Sequence, residues 1–575
     1  MRLSTTTRRK PLFLLILTAL LLCAGLCWYL VSRQADYYRN PLDIPLRLSA
    51  NFGELREDHF HMGLDIRTRG QENLPVVAAA GGYVSRIIIE EERYGNALLI
   101  AHPNQTTTLY AHLNGFSDSL QAFIRSRQYR QEQWEQDIRL PPDRFPVSKG
   151  QFIGWSGNTG GSQGPHLHFE LLDTKTGRNL DPLQTGLTGW DYTAPVITGL
   201  YWYNRGVSTY QEGGHYIPIR KKGEDTYQSE AAVVLVNSPL ISLGIRAGDK
   251  HPEAQPLLGI KGAEVMVDGK TIHQHSLESF SAIDSRYINA CIDYSRRAER
   301  DQFVQHLSTL PGNRMPGFEP NDGLIDLSDK KEHTLSIIVR DAGGNSARFE
   351  GRIRYTGKAV RRDKPSAPLL APGKAVTLRR PFAEVRFSKL AFYDSVPFRL
   401  TASPSSHPLQ ASPRILLHGP GVPVHDSFLV QLPSTLPASH PLRHKIVLQL
   451  ESGRHRLLVK PQWQGNRATA RLDRLGTVQL LLDTMAPRIG QPQWKPVSTP
   501  KGREQVLYIE CKDNLGRVAS LRALLNGRWL LLERKDNCFM YRPDRYAAKG
   551  KGQLLLTATD VAGNSSSLRW EWRRE

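Results

Sequence analysis

The sequence predicts a mainly β chain: an N-terminal transmembrane helix, an antiparallel β domain, and then immunoglobulin-like β-sandwich domains. Three observations predict it. An uncharged apolar run of 20 residues, 12–31, lies near the start. From about residue 41 onward, short alternating or apolar runs are bounded by turn residues, and such runs read as strands. A strand-into-turn signature also recurs: residues 335–345 read L-S-I-I-V-R-D-A-G-G-N, and residues 555–564 read L-L-T-A-T-D-V-A-G-N. At 575 residues the chain is too long for one core, and about 150 residues per domain suggests three or four.

The apolar run follows Arg2, Arg8, Arg9 and Lys10. At a rise of 1.5 Å per residue it spans about 30 Å, the thickness of the hydrocarbon core. The positive-inside rule keeps the basic end in the cytoplasm, so the chain after Arg33 lies outside. A cleaved signal peptide has a shorter apolar core, about 7–15 residues. Trp28, Tyr29 and Leu30 also stand where a cleavage site needs small residues. Leu22 and Leu26 precede Cys23 and Cys27 where lipoprotein processing needs a small residue. The run is therefore expected to be an uncleaved signal anchor.

Formal net charge is +20 and the pI is about 9.7. A basic surface suits nucleic acid, an anionic envelope polymer or a membrane face. No RNA-binding signature, zinc finger or basic helix appears, and the Lys and Arg residues are scattered, so no nucleic-acid partner is expected. Of the five cysteines, Cys23 and Cys27 fall in the anchor and Cys291 stands apart. Cys511 and Cys538 share the C-terminal segment, where a disulfide and two free thiols are equally compatible with the sequence.

The organisation expected along the chain is a stub, anchor and tether over 1–40, then a β domain over 41–188. Residues 84–90, 97–101 and 106–112 read as strands of that domain. Residues 119–138 carry Gln, Arg, Glu and Trp with apolar residues at helical intervals, and read as a helical or irregular insertion. An immunoglobulin-like β-sandwich region is expected over 189–363, a β-rich middle domain over 364–484 and a C-terminal immunoglobulin-like β domain over 485–575. Two of them open alike, with D-Y-T-A-P-V-I from Asp191 and D-T-M-A-P-R-I from Asp483. A Pro-rich link at 364–372 separates the first from the middle region. The D-x-x-G-N endings are the turn chemistry that antiparallel hairpins need.

The chemistry is concentrated in three short segments of the 41–188 region. In H-F-H-M-G-L-D-I, from His59, strand alternation would set His59, His61, Gly63 and Asp65 on one face and Phe60, Met62, Leu64 and Ile66 on the other. Gly63 would leave room for a metal. In P-H-L-H-F-E-L, from Pro165, alternation separates His166, His168 and Glu170 from Leu167, Phe169 and Leu171. A Gly-rich loop over 156–164 leads into it and can bring backbone close to an extended ligand. The third segment, L-Y-A-H-L, ends a strand at His112. His102, in I-A-H-P, reads as a surface turn residue.

A catalytic zinc site needs three protein ligands and an open fourth position, and two imidazoles with one carboxylate suit zinc. Such a site supplies a nucleophilic water near neutral pH, and nearby unliganded histidines can move protons or stabilise an oxyanion. A lone histidine is more often a hydrogen-bonded structural residue. Here two separate segments each oppose a His-rich face to an apolar one, which favours a site. Intervals alone leave four imidazoles competing for two places.

The set resembles the lysostaphin or LytM-type zinc peptidases. The resemblance rests on His61-x-x-x-Asp65, on Tyr110-Ala-His112-Leu113, and on Ser156-Gly157-Asn158-Thr159-Gly160 through Gly164-Pro165-His166-Leu167-His168-Phe169-Glu170. It covers about residues 51–183. By resemblance the domain is a LytM-type antiparallel β peptidase in which His61, Asp65 and His168 hold one Zn2+ per chain, with His112 and His166 as the unliganded catalytic pair. The resemblance implies a zinc metalloendopeptidase that cuts peptide bonds in peptidoglycan cross-links or stems. Some members have lost ligands and act as peptidoglycan-binding modules that activate other wall hydrolases; here all five positions are filled. The expected location is the bacterial inner membrane, single-pass, with the remaining domains on the periplasmic side. Envelope proteins are the partners expected of the immunoglobulin-like domains. His59 and the 119–138 insertion depart from the family pattern, and the insertion could form a groove wall.

Overall fold

A computed structural model of the protein describes residues 37–187, 193–250, 257–318, 322–358, 367–499, 502–547 and 549–574. The anticipated membrane segment 12–31 lies outside the described residues, as do Cys23, Cys27 and Asp191. Among the described residues no helix is long and apolar enough to cross a membrane.

The first β domain runs β1 (Leu48–Ala50), β2 (Leu64–Arg67), β3 (Pro75–Val77), β4 (Gly82–Ile89), β5 (Asn96–Ala101), β6 (Thr106–Ala111), β7 (Gly115–Phe116), α1 (Asp118–Gln131), β8 (Gln136–Arg139), β9 (Pro146–Val147), β10 (Phe152–Trp155), β11 (His166–Asp173) and β12 (Asn179–Leu180). The main sheet is ordered β1-β2-β11-β6-β5-β4-β8, and a small sheet is ordered β3-β10-β7. Every pairing along the main path is antiparallel. Alternation on the strands packs Leu64, Ile66, Val84, Ile87, Leu98, Ile100, Tyr110, Leu167 and Phe169 of the main sheet against Val76, Phe116 and Ile153 of the small one. Burying side chains of this size contributes roughly 1.5–3 kcal/mol each.

Register places the site. β11 lies between β2 and β6, so His168 has Asp65 as its Cα partner on one side and Ala111 on the other. The residue after Ala111 is His112.

The 119–138 stretch resolves into two elements. Leu120, Ile124 and Gln128 recur every fourth residue and are the buried side of α1, as one helical face requires. Asp118 lies in the first turn, and Glu132 ends the helix in the left-handed region at φ 49°. The rest of the stretch becomes β8, which pairs with β4 at the sheet edge. Two readings are corrected. Residues 59–63 do not extend β2: regular pairing with β11 begins at Leu64. His59 is exposed, turned out to Asp58 Oδ1 at 2.8 Å. His102 is not a surface residue: it is buried, with Nδ1 on Gly81 O at 2.9 Å and Nε2 on Thr108 Oγ1 at 2.8 Å.

Beyond residue 193, among the described residues, most strands fall into three successive pairs of sheets, each pair enclosing its own core, with a two-stranded ribbon of Leu369–Leu370 against Val396–Pro397 packed on the second core. Ile197, Leu200 and Leu243 face Val265, Ile337 and Phe349 in the first pair. Val385, Val430 and Ala470 face Ile415, Leu448 and Val478 in the second. Leu507 and Ile509 face Ala523, Leu556 and Trp572 in the third. The recurring turn is built the same way twice. Asn345 N and Asn564 N donate to Asp341 Oδ1 and Asp560 Oδ1 at 2.9 and 2.8 Å. Cys291, Cys511 and Cys538 are free thiols.

The chain closes on itself. β12 pairs with residues Ser279–Phe280 of the first sandwich. Arg205 of that sandwich, half-buried, bonds the buried Asp394 of the middle one at 3.1 Å. Glu57 of the first domain is held by Arg297, Arg454 and His455 at 2.8–3.0 Å. The last sandwich then returns to α1: Tyr129 stacks on Tyr546 at 4.1 Å, and its hydroxyl donates to Asp544 Oδ2 at 2.7 Å. Arg517 bonds Glu91 and Glu92 at 2.7 and 2.9 Å.

Candidate active site

The polar face of β11 meets the end of β6 and the approach to β2. His61 Nε2, Asp65 Oδ1 and His168 Nδ1 converge to within 2.9–3.0 Å of one another, and all three residues are buried. Gly63 serves a different need from the one expected. A Cβ there would lie 2.2 Å from Phe169 O and 2.9 Å from Glu170 Cγ, so glycine permits close approach of β11 rather than leaving room for an ion.

The outward nitrogens are pinned. His61 Nδ1 donates to Asn51 O at 2.8 Å, which leaves its Nε2 lone pair facing Asp65. His168 Nε2 lies 2.9 Å from Glu170 Oε1, which turns Nδ1 inward. Glu170 is itself held by Tyr94 Oη at 2.9 Å and Asn179 Nδ2 at 2.6 Å. Arg56 Nη2 lies 2.8 Å from Asp65 Oδ2, leaving Oδ1 to the cluster.

His166 and His112 edge the same point. His166 Nε2 is 3.4 Å from Asp65 Oδ1, and its Nδ1 donates to Gly164 O at 2.8 Å. His112 Nδ1 donates to Thr159 O at 2.9 Å. The two rings are 4.7 Å apart. His112 sits at φ 60°, the left-handed region that non-glycine residues seldom occupy. Its N–H donates to Tyr94 O at 2.9 Å, which holds it one residue past the strand. With Nδ1 of each ring turned to a backbone carbonyl, Nε2 is the edge each leaves for the site.

Electrostatics follow from burial and mutual charge. Burial pushes His112 down to about 3, helped by the charges of His168 and His166. Burial opposes ionisation of Asp65, but the charge and hydrogen bonds of His61, His166 and His168 outweigh it and hold the carboxyl well below its usual range. Burial also opposes charging His168, yet its bonds to Asp65 and Glu170 raise it to about 9. The donor set suits a divalent metal: two imidazole nitrogens and one carboxylate oxygen, each with an outer partner fixing its orientation. A metal entering there would displace a proton from His168.

All five predicted site residues come together: His61, Asp65, His112, His166 and His168. His59 stays outside. Arg56, Asn51 and Tyr94 were not anticipated. Asn51 acts through its main-chain carbonyl, Tyr94 through a hydroxyl seventy-odd residues from its partner, and Arg56 from a turn, so no side-chain pattern marks them.

Residues 59–129 match Peptidase family M23, a span that includes His61, Asp65 and His112. The DD-carboxypeptidase/endopeptidase Mpg of Neisseria meningitidis serogroup B is 32% identical over 146 residues, 24% of this chain and 27% of that protein. The peptidoglycan DD-endopeptidase ShyA of Vibrio cholerae serotype O1 is 31% identical over 148 residues, 24% of this chain and 28% of that protein. The chain thus aligns with little more than a quarter of the length of these relatives. The catalytic domain of lysostaphin from Staphylococcus simulans aligns in structure at 22% identity over 24% of this chain and 90% of that one, with a TM-score of 0.18. The region that gathers these histidine and aspartate donors is thus the one that matches Peptidase family M23.

Proposed function

We propose that this protein is a zinc-dependent endopeptidase that hydrolyses peptide bonds in peptidoglycan cross-links or stems. The observation that carries the reading is the convergence of His61 Nε2, Asp65 Oδ1 and His168 Nδ1, with two further imidazoles at its edge. A zinc ion held by these three residues supplies Lewis-acid polarisation of a scissile carbonyl and activation of a water nucleophile. The chain's own residues do the rest. His166 and His112, each fixed through Nδ1 to a backbone carbonyl, present Nε2 to take a proton from the nucleophile or to bond the developing oxyanion. Burial of the cluster excludes water and strengthens these interactions. The peptidoglycan substrate is supported by the Vibrio cholerae relative, which is named a peptidoglycan DD-endopeptidase.

The segment 12–31 is proposed to hold the protein in the inner membrane, with residues after Arg33 on the periplasmic side. The charge asymmetry around the apolar run supports this orientation. Protease added to spheroplasts is then expected to digest the large domains. A mature N-terminus beyond Trp28 would replace the anchor with a signal peptide.

The deciding test of function is incubation of the full chain with purified peptidoglycan and, in parallel, with casein, followed by mass spectrometry. Wall peptides released by the parent chain but not by Asp65→Ala support the reading. Casein cleaved in preference to wall material would make it a protein protease. Wall bound but never cut by the parent chain would make it a binding module.

A further inference from the structure

The three sandwich pairs could serve only to space the peptidase domain from the membrane. The first of them does more. His61 is clasped by a turn: its N–H donates to Glu54 O and its carbonyl accepts from Gly53 N, both at 2.8 Å. Its Nδ1 bonds Asn51 O at 2.8 Å. Every one of those groups belongs to residues 51–54, and the outer side of that turn rests on the sandwich. Asn51 is 2% exposed. Its side-chain amide pairs with one sandwich residue at both ends: Nδ2 donates to Gly259 O at 2.8 Å, and Oδ1 accepts from Gly259 N at 2.9 Å. A Cβ at Gly53, which sits at φ 76°, would lie 3.0 Å from Leu277 Cδ1, and Phe52 stacks on Phe280 at 4.7 Å. The chain just before His61 is held likewise, since Ser285 Oγ bonds Phe60 N at 2.7 Å and Phe60 O at 3.1 Å.

The other imidazole donor leads to the same place. His168 rests on Glu170, and Glu170 rests on Asn179. Asn179 also donates to Met62 O at 3.1 Å, one residue past His61. Its strand, β12, is paired with Ser279–Phe280 of the sandwich. The outer support of both histidine donors therefore runs into residues 257–285.

We infer that the first sandwich is a structural part of the metal centre, with Asn51, locked by Gly259, as the positioning residue for His61. The inference rests on the zinc reading above. It makes a specific demand: a change in the sandwich, outside the peptidase domain, must alter metal affinity. Gly259 is the sharpest probe. A Cβ there would lie 2.7 Å from Glu54 Cα, closer than side-chain carbons come to backbone, so the turn carrying Asn51 O must move.

The experiment uses the full chain, with Zn2+ affinity measured by chelator competition and the visible absorption of the Co2+-loaded protein as a second readout. Gly259→Ala, and the milder Asn51→Asp, which removes the donor to Gly259 O, are each expected to weaken Zn2+ binding about 10–100-fold, the usual effect of losing an outer partner of a ligand. Both should shift the Co2+ spectrum while melting as a folded protein. Glu264→Ala is the control: it lies in the same sandwich and pairs with Arg340 at 3.2 Å, away from the turn, and should bind as the parent does. If Asn51→Asp and Gly259→Ala fold and keep parental affinity and spectrum, the inference is overturned and the sandwich is only a spacer. A parent chain that takes up no Zn2+ would instead overturn the zinc reading, and this inference with it.

Discussion

His61 Nε2 and His168 Nδ1 stand 3.0 Å apart, a separation at which two imidazole nitrogens need a proton or a metal ion to offset their lone pairs. Asp65 Oδ1 lies within 3.0 Å of both. The parent chain is therefore expected to carry one zinc, and Asp65→Ala almost none, by metal analysis of purified protein. His59→Ala should keep the parental content, since His59 is turned out to Asp58. Equal losses in both variants would reject the ligand set.

A split phenotype is expected of the remaining histidines. His112→Ala and His166→Ala should retain zinc yet release wall peptides about 10²–10⁴-fold more slowly, the scale of losing a general acid or base. His168→Ala should lose metal and activity together. Wall digestion at the parental rate by either of the first two would remove that residue from the mechanism.

Tyr129 fastens the last sandwich to α1 through its stack on Tyr546 and its bond to Asp544. A stacked pair contributes about 0.5–1.5 kcal/mol beyond burial, and a hydrogen bond to a carboxylate about 1.5–3 kcal/mol. Tyr129→Ala is expected to raise hydrogen exchange across residues 118–131 about tenfold or more, with the fold otherwise intact. Unchanged exchange there would show that the ion pairs alone hold the contact.

Acid should weaken the first sandwich through His275, which is buried beside His273 and Phe318 and accepts from Gln305 at 2.9 Å. Burial, then the charge of His273, pushes it down to about 3. The folded value is depressed, so the unfolded chain binds the extra proton between about pH 6.5 and 3. The neutral form is favourable above 6.5, and stability falls as pH drops through that window, by about 1.4 kcal/mol per unit. His275→Gln should flatten this part of the stability–pH curve measured by denaturant titration. An unaltered slope would count against the assignment.

The main features of the site were legible because two of its three segments carry strong patterns. His166, His168 and Glu170 do share a face of β11, since a strand's period of two is rigid. His61 and Asp65 do meet, although not by that logic: the chain between them is an irregular turn, which is why His59 fell on the wrong side. Dividing four imidazoles between metal and catalysis needed the family resemblance. Asn51 and Gly259 were invisible because one contributes a backbone carbonyl and the other an absent side chain, and neither has a period. His102 looked like a loop residue because it precedes a proline, but its two ring nitrogens find partners inside the domain. The strand-rich character of the later regions was readable from alternation and turn signatures; their contacts with the peptidase domain, made by single side chains far apart in the sequence, were not.

The return of the last sandwich to α1 changes what kind of interface is needed there. One tyrosine, with its stack on Tyr546 and its bond to Asp544, and a few ion pairs, some exposed and one, Arg534 with Glu91 at 3.1 Å, largely buried, make a small contact for two separate proteins in dilute solution. Within one chain the partners are confined near each other at an effective concentration on the order of millimolar, so a weak contact stays closed. Dilution therefore does not open it, whereas raised ionic strength, by screening Arg517 from Glu91 and Glu92, weakens it. A C-terminal sandwich severed from the chain and added back at micromolar levels would be expected to drift free.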